Sequence, residues 1–444
     1  MDSRFRGNDE LRVPDDEPHV REDNTNVRTA DTVYMVKSGF LQFIVLLLTS
    51  MTLTVAQADD SASFFQTLEY RGNVTAELRV FPEDSVHEAT QNTNLSISAE
   101  AEFFYPFADG NSSLLVTPFV RLDENDSRRT HFDFREFLYQ RNGDNWEIQI
   151  GLGKVFWGVA ESVNVVDVVN QRDFVEGFLD NEKLGQPMVQ LSWIRDNGSL
   201  DFFILPAFRE QTFAGADGRP RFPPVIDIAS SDTSSFTDGR NVDFAARYST
   251  SVSVWDLGFS LFDGTDRNPQ LLPIFGETLA DLRLQPVYTQ ITQAGIDAQA
   301  TIDSWLLKFE GIFQRGDDIE SHIELVTGFE YSFFGVFDSD ADIGLIGEYL
   351  FDERDSDVTQ AFQNDVLLGL RLALNDEDSS EALIGTFVDL DSNSLTLSVE
   401  ASRRIGNAFT LSANAVIWTQ TEDDPFLDLL ADEDFVELEI AWFF

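Results

Sequence analysis

The feature that most constrains this chain is a period-2 alternation of apolar and polar side chains, clearest in its last ten residues. Between Phe435 and Phe444, Val436, Leu438, Ile440, Trp442 and Phe444 share one face, while Glu437 and Glu439 lie on the other. A strand with one wholly apolar face and one carboxylate-bearing face suits a sheet with lipid on one side and water on the other. The pattern recurs along the chain. Val74, Ala76, Leu78 and Val80 oppose Thr75, Glu77 and Arg79, and Leu95, Ile97, Ala99 and Ala101 oppose Ser96, Ser98, Glu100 and Glu102. About 18 segments of this kind start near residues 73, 95, 114, 131, 146, 189, 200, 242, 252, 287, 305, 322, 341, 365, 381, 395, 409 and 435.

The connections between these segments obey a parity. Taken in order, the even-numbered ones are mostly short, such as Arg141–Asn145, Asp196–Ser199 and Asp303–Ser304. Every long stretch falls on an odd-numbered one: about 157–188, 209–241, 263–286, 352–364 and 420–434. Asp109-Gly110, Asn142-Gly143 and Asn197-Gly198 supply favoured hairpin turns. A soluble sandwich or propeller has no reason to sort loop lengths by parity, whereas a membrane barrel does. The expected fold is all-β: one transmembrane antiparallel up-and-down barrel of 16–18 strands, with long extracellular loops and short periplasmic turns. A further plug domain has little room, with about 14 residues between Asp59 and Asn73.

Ahead of the barrel, Met35-Val-Lys-Ser-Gly precedes the apolar run Phe40–Leu48, and Ala56-Gln-Ala58 precedes Asp59. A short basic region, a brief apolar run and an A-x-A site make a secretory signal peptide. The run is shorter than the ~20 residues a spanning helix needs. The expected organisation is a disordered leader or mis-assigned start over 1–34, a signal peptide over 35–58, a periplasmic segment over 59–72 and the barrel over 73–444. Cysteine is absent, which excludes disulfide frameworks and thiolate metal sites. A net charge of −48 excludes a nucleic-acid partner. Many carboxylates sit in turns, such as Asp123–Asp126, Asp352–Asp357 and Thr421–Asp424. Solubility of exposed loops explains them, as does cation bridging to lipopolysaccharide. No calcium-loop spacing occurs, and no cofactor or metal is expected.

The terminal strand, with Trp442 and a final Phe444, resembles the C-terminal strand of Gram-negative outer-membrane β-barrels, which their assembly machinery reads. The third connection on the long-loop side, Trp157 to about Met188, is unusually apolar for a loop, with Val163, Val165, Val166, Val168, Val169, Phe174, Phe178 and Leu179. It is similar in ordinal position, length and apolarity to the third extracellular loop of general porins, which folds inward and narrows the pore. That resemblance implies a constriction using Asp167, Arg172, Asp173 and Lys183 on the loop, opposed by Arg79, Glu102, Arg121 and Arg135 on the wall. Gly151 and Gly153, on the inward face of the preceding segment, would let a backbone approach. The 209–241 stretch reads as an irregular surface segment whose Arg219 and Arg221 could contact anionic glycolipid.

Catalytic chemistry has few candidates. The histidines after residue 58 are His87, His131 and His322, and of these His322 lies beside Ser321. No G-x-S-x-G element is present. The expected function is therefore non-enzymatic: a channel for passive diffusion of small hydrophilic solutes, with apolar rows against lipid and Glu, Arg, Ser and Thr around a wet interior. The excess of carboxylates implies a preference for cations or neutral solutes. Expected partners are outer-membrane lipids, lipopolysaccharide, the barrel assembly machinery and small solutes, and a homo-oligomer fits the fold. The alternatives are a non-conducting structural or adhesion platform and, less favoured, a barrel hydrolase.

Overall fold

Antiparallel strands that each hide one face can pair consecutively until the last meets the first, and this chain does so. The computed structural model describes residues 67–85, 90–177, 182–233, 242–278, 281–316, 319–354 and 362–444. The segments expected to be a leader and a signal peptide (1–58), together with His87, Phe178 and Leu179, lie outside the described residues. The first seven strands are β1 (Glu69–Val80), β2 (Thr93–Pro106), β3 (Ser112–Asp123), β4 (His131–Asn142), β5 (Trp146–Gly153), β6 (Gln186–Arg195) and β7 (Gly198–Leu205). Next come β8 (Val225–Ile226), β9 (Asp243–Val252), β10 (Trp255–Thr265), β11 (Gln270–Ile274), β12 (Arg283–Val287) and β13 (Gln290–Ile302). The series ends with β14 (Trp305–Gly316), β15 (His322–Phe333), β16 (Asp342–Asp352), β17 (Asn364–Ala373), β18 (Glu381–Asp389), β19 (Leu395–Ile405), β20 (Phe409–Thr419) and β21 (Phe435–Phe443).

Eighteen of these form one sheet. Each pairs antiparallel with its neighbour in the chain, with β7 joining β9 and β10 joining β13. The sheet closes where β21 pairs with β1, from Asn73 opposite Phe443 to Val80 opposite Val436. At the seam Gly72 and Phe444 exchange two main-chain hydrogen bonds of 3.2 and 3.0 Å. Closure leaves no unpaired edge, the condition for a sheet to cross a bilayer. The strand starts agree with those expected to within three residues, except that β1 begins at Glu69 rather than near 73. Loop parity holds as well: 154–185, 206–242, 266–289 and 420–434 gather at one rim, opposite the two-residue turns at 253–254 and 303–304.

The outward rows are apolar and uncovered. Leu368 and Leu370 are both 52% exposed, and Leu438, Ile440 and Trp442 remain similarly bare. So large an apolar band is an aggregation hazard in water and a proper boundary in lipid. Trp146, Trp193, Trp255, Trp305 and Trp442 all lie at the short-turn rim and are exposed. There Trp305 contacts Phe329 and Tyr331 at 5.3 and 4.7 Å. Amphipathic rings at one rim form the girdle expected at a membrane interface.

At the long-loop rim the connections are folded rather than loose. Strand β8 pairs with β12 of the β11–β12 hairpin in a small separate sheet. Phe81, Phe213, Phe222, Ile226, Trp418, Leu427, Leu430 and Phe435 pack beneath it as an apolar roof. Arg219 does not reach outward to a glycolipid as expected. It is buried, donates to Glu433 Oε2 at 3.1 Å and to the Glu83 carbonyl, and stacks over Phe81 at 4.3 Å. Arg221 is likewise buried, donating to the carbonyls of Phe222 and Pro223. Aromatic neighbours and carbonyls at hand outcompete water for both guanidinium groups.

Candidate functional site

The loop between β5 and β6, residues 154–185, turns into the barrel and crosses its lumen. Its apolarity is the cause. Val166, Val168 and Val169 pack with Trp157 against the inner faces of β6, β7, β9, β10, β13 and β14, through Met188, Phe203, Leu205, Ala245, Phe262, Ile291 and Ile312. Each buried valine contributes roughly 1.5 kcal/mol or more. Gly295 makes room for Val166, because a Cβ there would lie 3.2 Å from Val166 Cγ1.

The tip is held on the far wall by main-chain contacts. Glu310 of β14 accepts the N–H groups of Val159 at 2.5 Å and Ala160 at 2.8 Å, and that of Val166 at 3.4 Å. Glu348 of β16 accepts those of Glu161 and Ser162 at 2.8 Å each, and the Ser162 hydroxyl at 2.6 Å. Carboxylates aimed at consecutive N–H groups make strong charge-assisted bonds. Glu161 in turn accepts from Arg371 of β17 at 2.7 Å and Lys308 at 3.3 Å. Gly158 starts the turn at φ +110°, and a Cβ on it would meet Glu310 Oε1 at 2.6 Å. Only glycine fits both demands.

The returning limb meets a cluster of arginines on β1, β3, β4 and the connection between β3 and β4. Arg121 donates to Glu77 at 2.7 Å and to Glu176 of the loop at 2.8 Å. Arg129 bonds Glu77 at 2.6 Å and Asp123 at 2.9 Å, and donates to the Val175 carbonyl at 2.8 Å. Arg79 bonds Glu437 at 2.5 Å and reaches the Glu176 carbonyl. Arg135 pairs with Asp173 and lies 4.0 Å above the Phe119 ring. A register shift at Thr117–Pro118 accompanies this inward setting of Arg135; proline has no N–H to give the ladder. These groups are buried, so no water gap separates loop from wall on this side.

The residues expected at a constriction therefore divide. Asp173 meets Arg135, and Arg79 and Arg121 join the same network. Asp167 and Lys183 pair with each other, and Lys183 also donates to the Val155 carbonyl at 2.7 Å, so they brace the loop's own root. Burial nevertheless pushes the Asp167 carboxyl above its ordinary value. Glu102 is not part of the cluster: it pairs with exposed Arg71 at 2.8 Å towards the short-turn rim. The space at Gly153 is filled by side chains, Met188 and Leu138, and at Gly151 by the Phe137 carbonyl of the neighbouring strand. Glu77, Arg129, Glu176, Glu310 and Glu348 were not singled out from the sequence. Their partners lie dozens to hundreds of positions away, so no local spacing marks them.

The interior is not uniformly hydrophilic, contrary to expectation. Val326, Ile346, Leu350 and Leu367 of β15–β17 point inward and are buried with Val163, Val165, Phe362, Leu383 and Phe387. Between this wall and the loop lies a cavity of about 200 Å³. Above it a larger cavity of about 620 Å³ opens at the long-loop rim, lined by Asp352, Glu353, Asp389, Asp391, Asp423 and Asp424. Phe426 lines both. At the short-turn rim a cavity of about 550 Å³ lies under Gly158 and Val159, beside Arg247 and Asp297.

His322 Nε2 faces Glu324 at 3.1 Å and its Nδ1 lies 3.0 Å from the Glu320 carbonyl. His131 sits by the Arg129 carbonyl and Glu176. Among the described residues, neither is hydrogen-bonded to a serine or threonine hydroxyl.

No family model matches the chain, and no curated protein matches it. Among solved structures, Wzi of Escherichia coli, an outer-membrane carbohydrate-binding β-barrel involved in group 1 capsule assembly, is 10% identical. The match covers 86% of each chain with a TM-score of 0.48. A multiply substituted porin of Rh. blastica is 11% identical over 85% of this chain and 100% of its own, with a TM-score of 0.41. A loop-deleted form of OmpT, an outer-membrane protein of Vibrio cholerae, is 8% identical over 85% and 99%, with a TM-score of 0.41.

Proposed function

We propose that this chain is an outer-membrane channel of a Gram-negative bacterium, through which small hydrophilic solutes diffuse past the inner loop. One observation carries the reading: the 154–185 loop crosses a closed barrel and is held at both its root and its far tip, which narrows the bore. The arginine side is closed by ion pairs, so the route starts at the acidic cavity of the long-loop rim on the β16–β20 side and passes the loop tip, beyond which the short-turn-rim cavity lies beside β6–β13. Carboxylates around the mouth favour cations and neutral solutes over anions. Export would use residues 35–58, and folding would use the terminal strand with Trp442 and Phe444. Lipid and lipopolysaccharide would surround the barrel, alone or as a homo-oligomer.

Planar-bilayer recordings test this. Small unitary steps and a cation-selective reversal potential in a salt gradient are expected. Clear anion selectivity overturns the electrostatic part. A silent bilayer favours the non-conducting platform, a reading for which the apolar roof over the long-loop rim speaks. The mass of the extracted protein should place its first residue at Asp59.

A further inference from the structure

The cavity between the inner loop and the β16–β20 wall has an unusual make-up. Most of its lining is apolar, with Ile346, Leu367, Leu383, Phe387 and Trp418 prominent. Ser162, Ser398 and the carboxylates Glu161 and Glu400 interrupt that lining, and two further polar side chains, Arg172 and Thr396, have hydrogen-bonding capacity that no described residue takes up. Arg172 of the loop lines the cavity, and its guanidinium makes no hydrogen bond or ion pair among the described residues. Its neighbour in charge, Asp167, is already engaged by Lys183. Thr396 of β19 also lines the cavity, is 3% exposed, and its hydroxyl has no partner. Glu161, another lining residue, is engaged by Arg371 and Lys308.

A guanidinium beside an apolar wall gains when an oxyanion replaces its water. The buried arginines of the lumen described above each hold a carboxylate or a carbonyl. Arg172 is half-buried, lines the cavity and has only longer-range charges, Asp167 and Glu324, to favour it. A ligand oxyanion would complete it, since a carboxylate matches the guanidinium fork in geometry and charge. The apolar wall requires that the rest of the ligand be hydrophobic, and size bounds it further. A cavity of ~150 Å³ takes up benzene, so about 200 Å³ suits one aromatic ring or a short acyl chain.

We propose that this cavity is a binding site for small amphipathic monocarboxylates, with Arg172 receiving the carboxylate, Thr396 supplying a further hydrogen bond and the β16–β20 wall holding the apolar body. The proposal goes beyond the channel reading, which favours cations and neutral solutes for passage: the site holds an anion beside the inner loop, and binding itself does not require conduction. The acidic residues at the mouth slow the approach of an anion without removing its site, so association is faster at higher ionic strength.

Isothermal titration of the full-length mature protein in detergent, with phenylacetate as probe, tests it. Saturable binding is expected, with phenylacetamide and acetate each at least about tenfold weaker, since one lacks the charge and the other the apolar body. Arg172→Gln should weaken phenylacetate at least about tenfold and leave phenylacetamide unchanged. Leu383→Trp, which fills the cavity from the wall and leaves Arg172 in place, should abolish binding of both. Heat-modified migration in gels verifies that each variant is a folded barrel. Equal affinity for acid and amide, or phenylacetate binding that survives both substitutions, overturns the site. A conducting barrel that binds no phenylacetate sinks this proposal alone, and a silent barrel that binds it sinks only the channel reading.

Discussion

The two halves of the lumen solve the same problem in opposite ways. On the β1–β4 side, Arg79, Arg121, Arg129 and Arg135 meet Glu77, Asp123, Asp173, Glu176 and Glu437 in direct contact, with no space between loop and wall. On the β15–β18 side, Val326, Ile346, Leu350 and Leu367 present an apolar surface that the loop only partly covers. Buried ion pairs fix position but tolerate no missing partner, whereas an apolar wall is indifferent to what lies against it. The charged half thus determines where the loop sits, and the apolar half keeps the room.

The largest effect that would break this contrast is on stability. Arg135→Met leaves Asp173 buried without its cation and should cost about 3–5 kcal/mol, read as a lowered denaturation midpoint in detergent. A midpoint within error of the parent would mean that the charged half does not set the loop. Next, combined Glu310→Ala and Glu348→Ala strips the tip of its main-chain acceptors. Unitary conductance should rise at least about twofold as the loop leaves the far wall, and residues 158–163 should become open to proteolysis. Unaltered conductance would show that the apolar packing alone holds the loop.

A smaller effect concerns pH. Asp266, just beyond β10, is buried and has no ion pair, and burial pushes its carboxyl above the ordinary value. In the window between the ordinary and the raised value the folded state binds the extra proton, so stability falls as pH rises through it. Asp266→Asn should flatten that slope and raise the midpoint at neutral pH, and an undiminished slope would assign it elsewhere. The smallest effect is the control: Arg71→Met breaks only the exposed pair with Glu102 and should leave unfolding unchanged.

Much of the scaffold was readable from residue order. Strand starts at 131, 146, 305, 322, 381, 395, 409 and 435 coincide with the alternating segments, because a strand with lipid on one face must alternate strictly. The inward turn of the loop was readable from its valines, and Asp173 and Arg135 do meet. The apolar half of the interior was not foreseen, although a signal existed. Val366-Leu-Leu-Gly-Leu370 and Ile343-Gly-Leu-Ile-Gly347 are apolar on both faces, which alternation between lipid and water does not require. The carboxylates that hold the loop tip gave no such sign, because Glu310 and Glu348 look like any other acid on a polar strand face.

Glu310 and Glu348 grip the loop chiefly through main-chain N–H groups, and Ser162 is the loop side chain that adds to them. Main-chain donors are common to every residue except proline, so the identity of the residue at position 159 is free to drift while its location is not. That position, already over the cavity at the short-turn rim, offers a place to graft a new side chain into the passage and alter its filter without redesigning its frame.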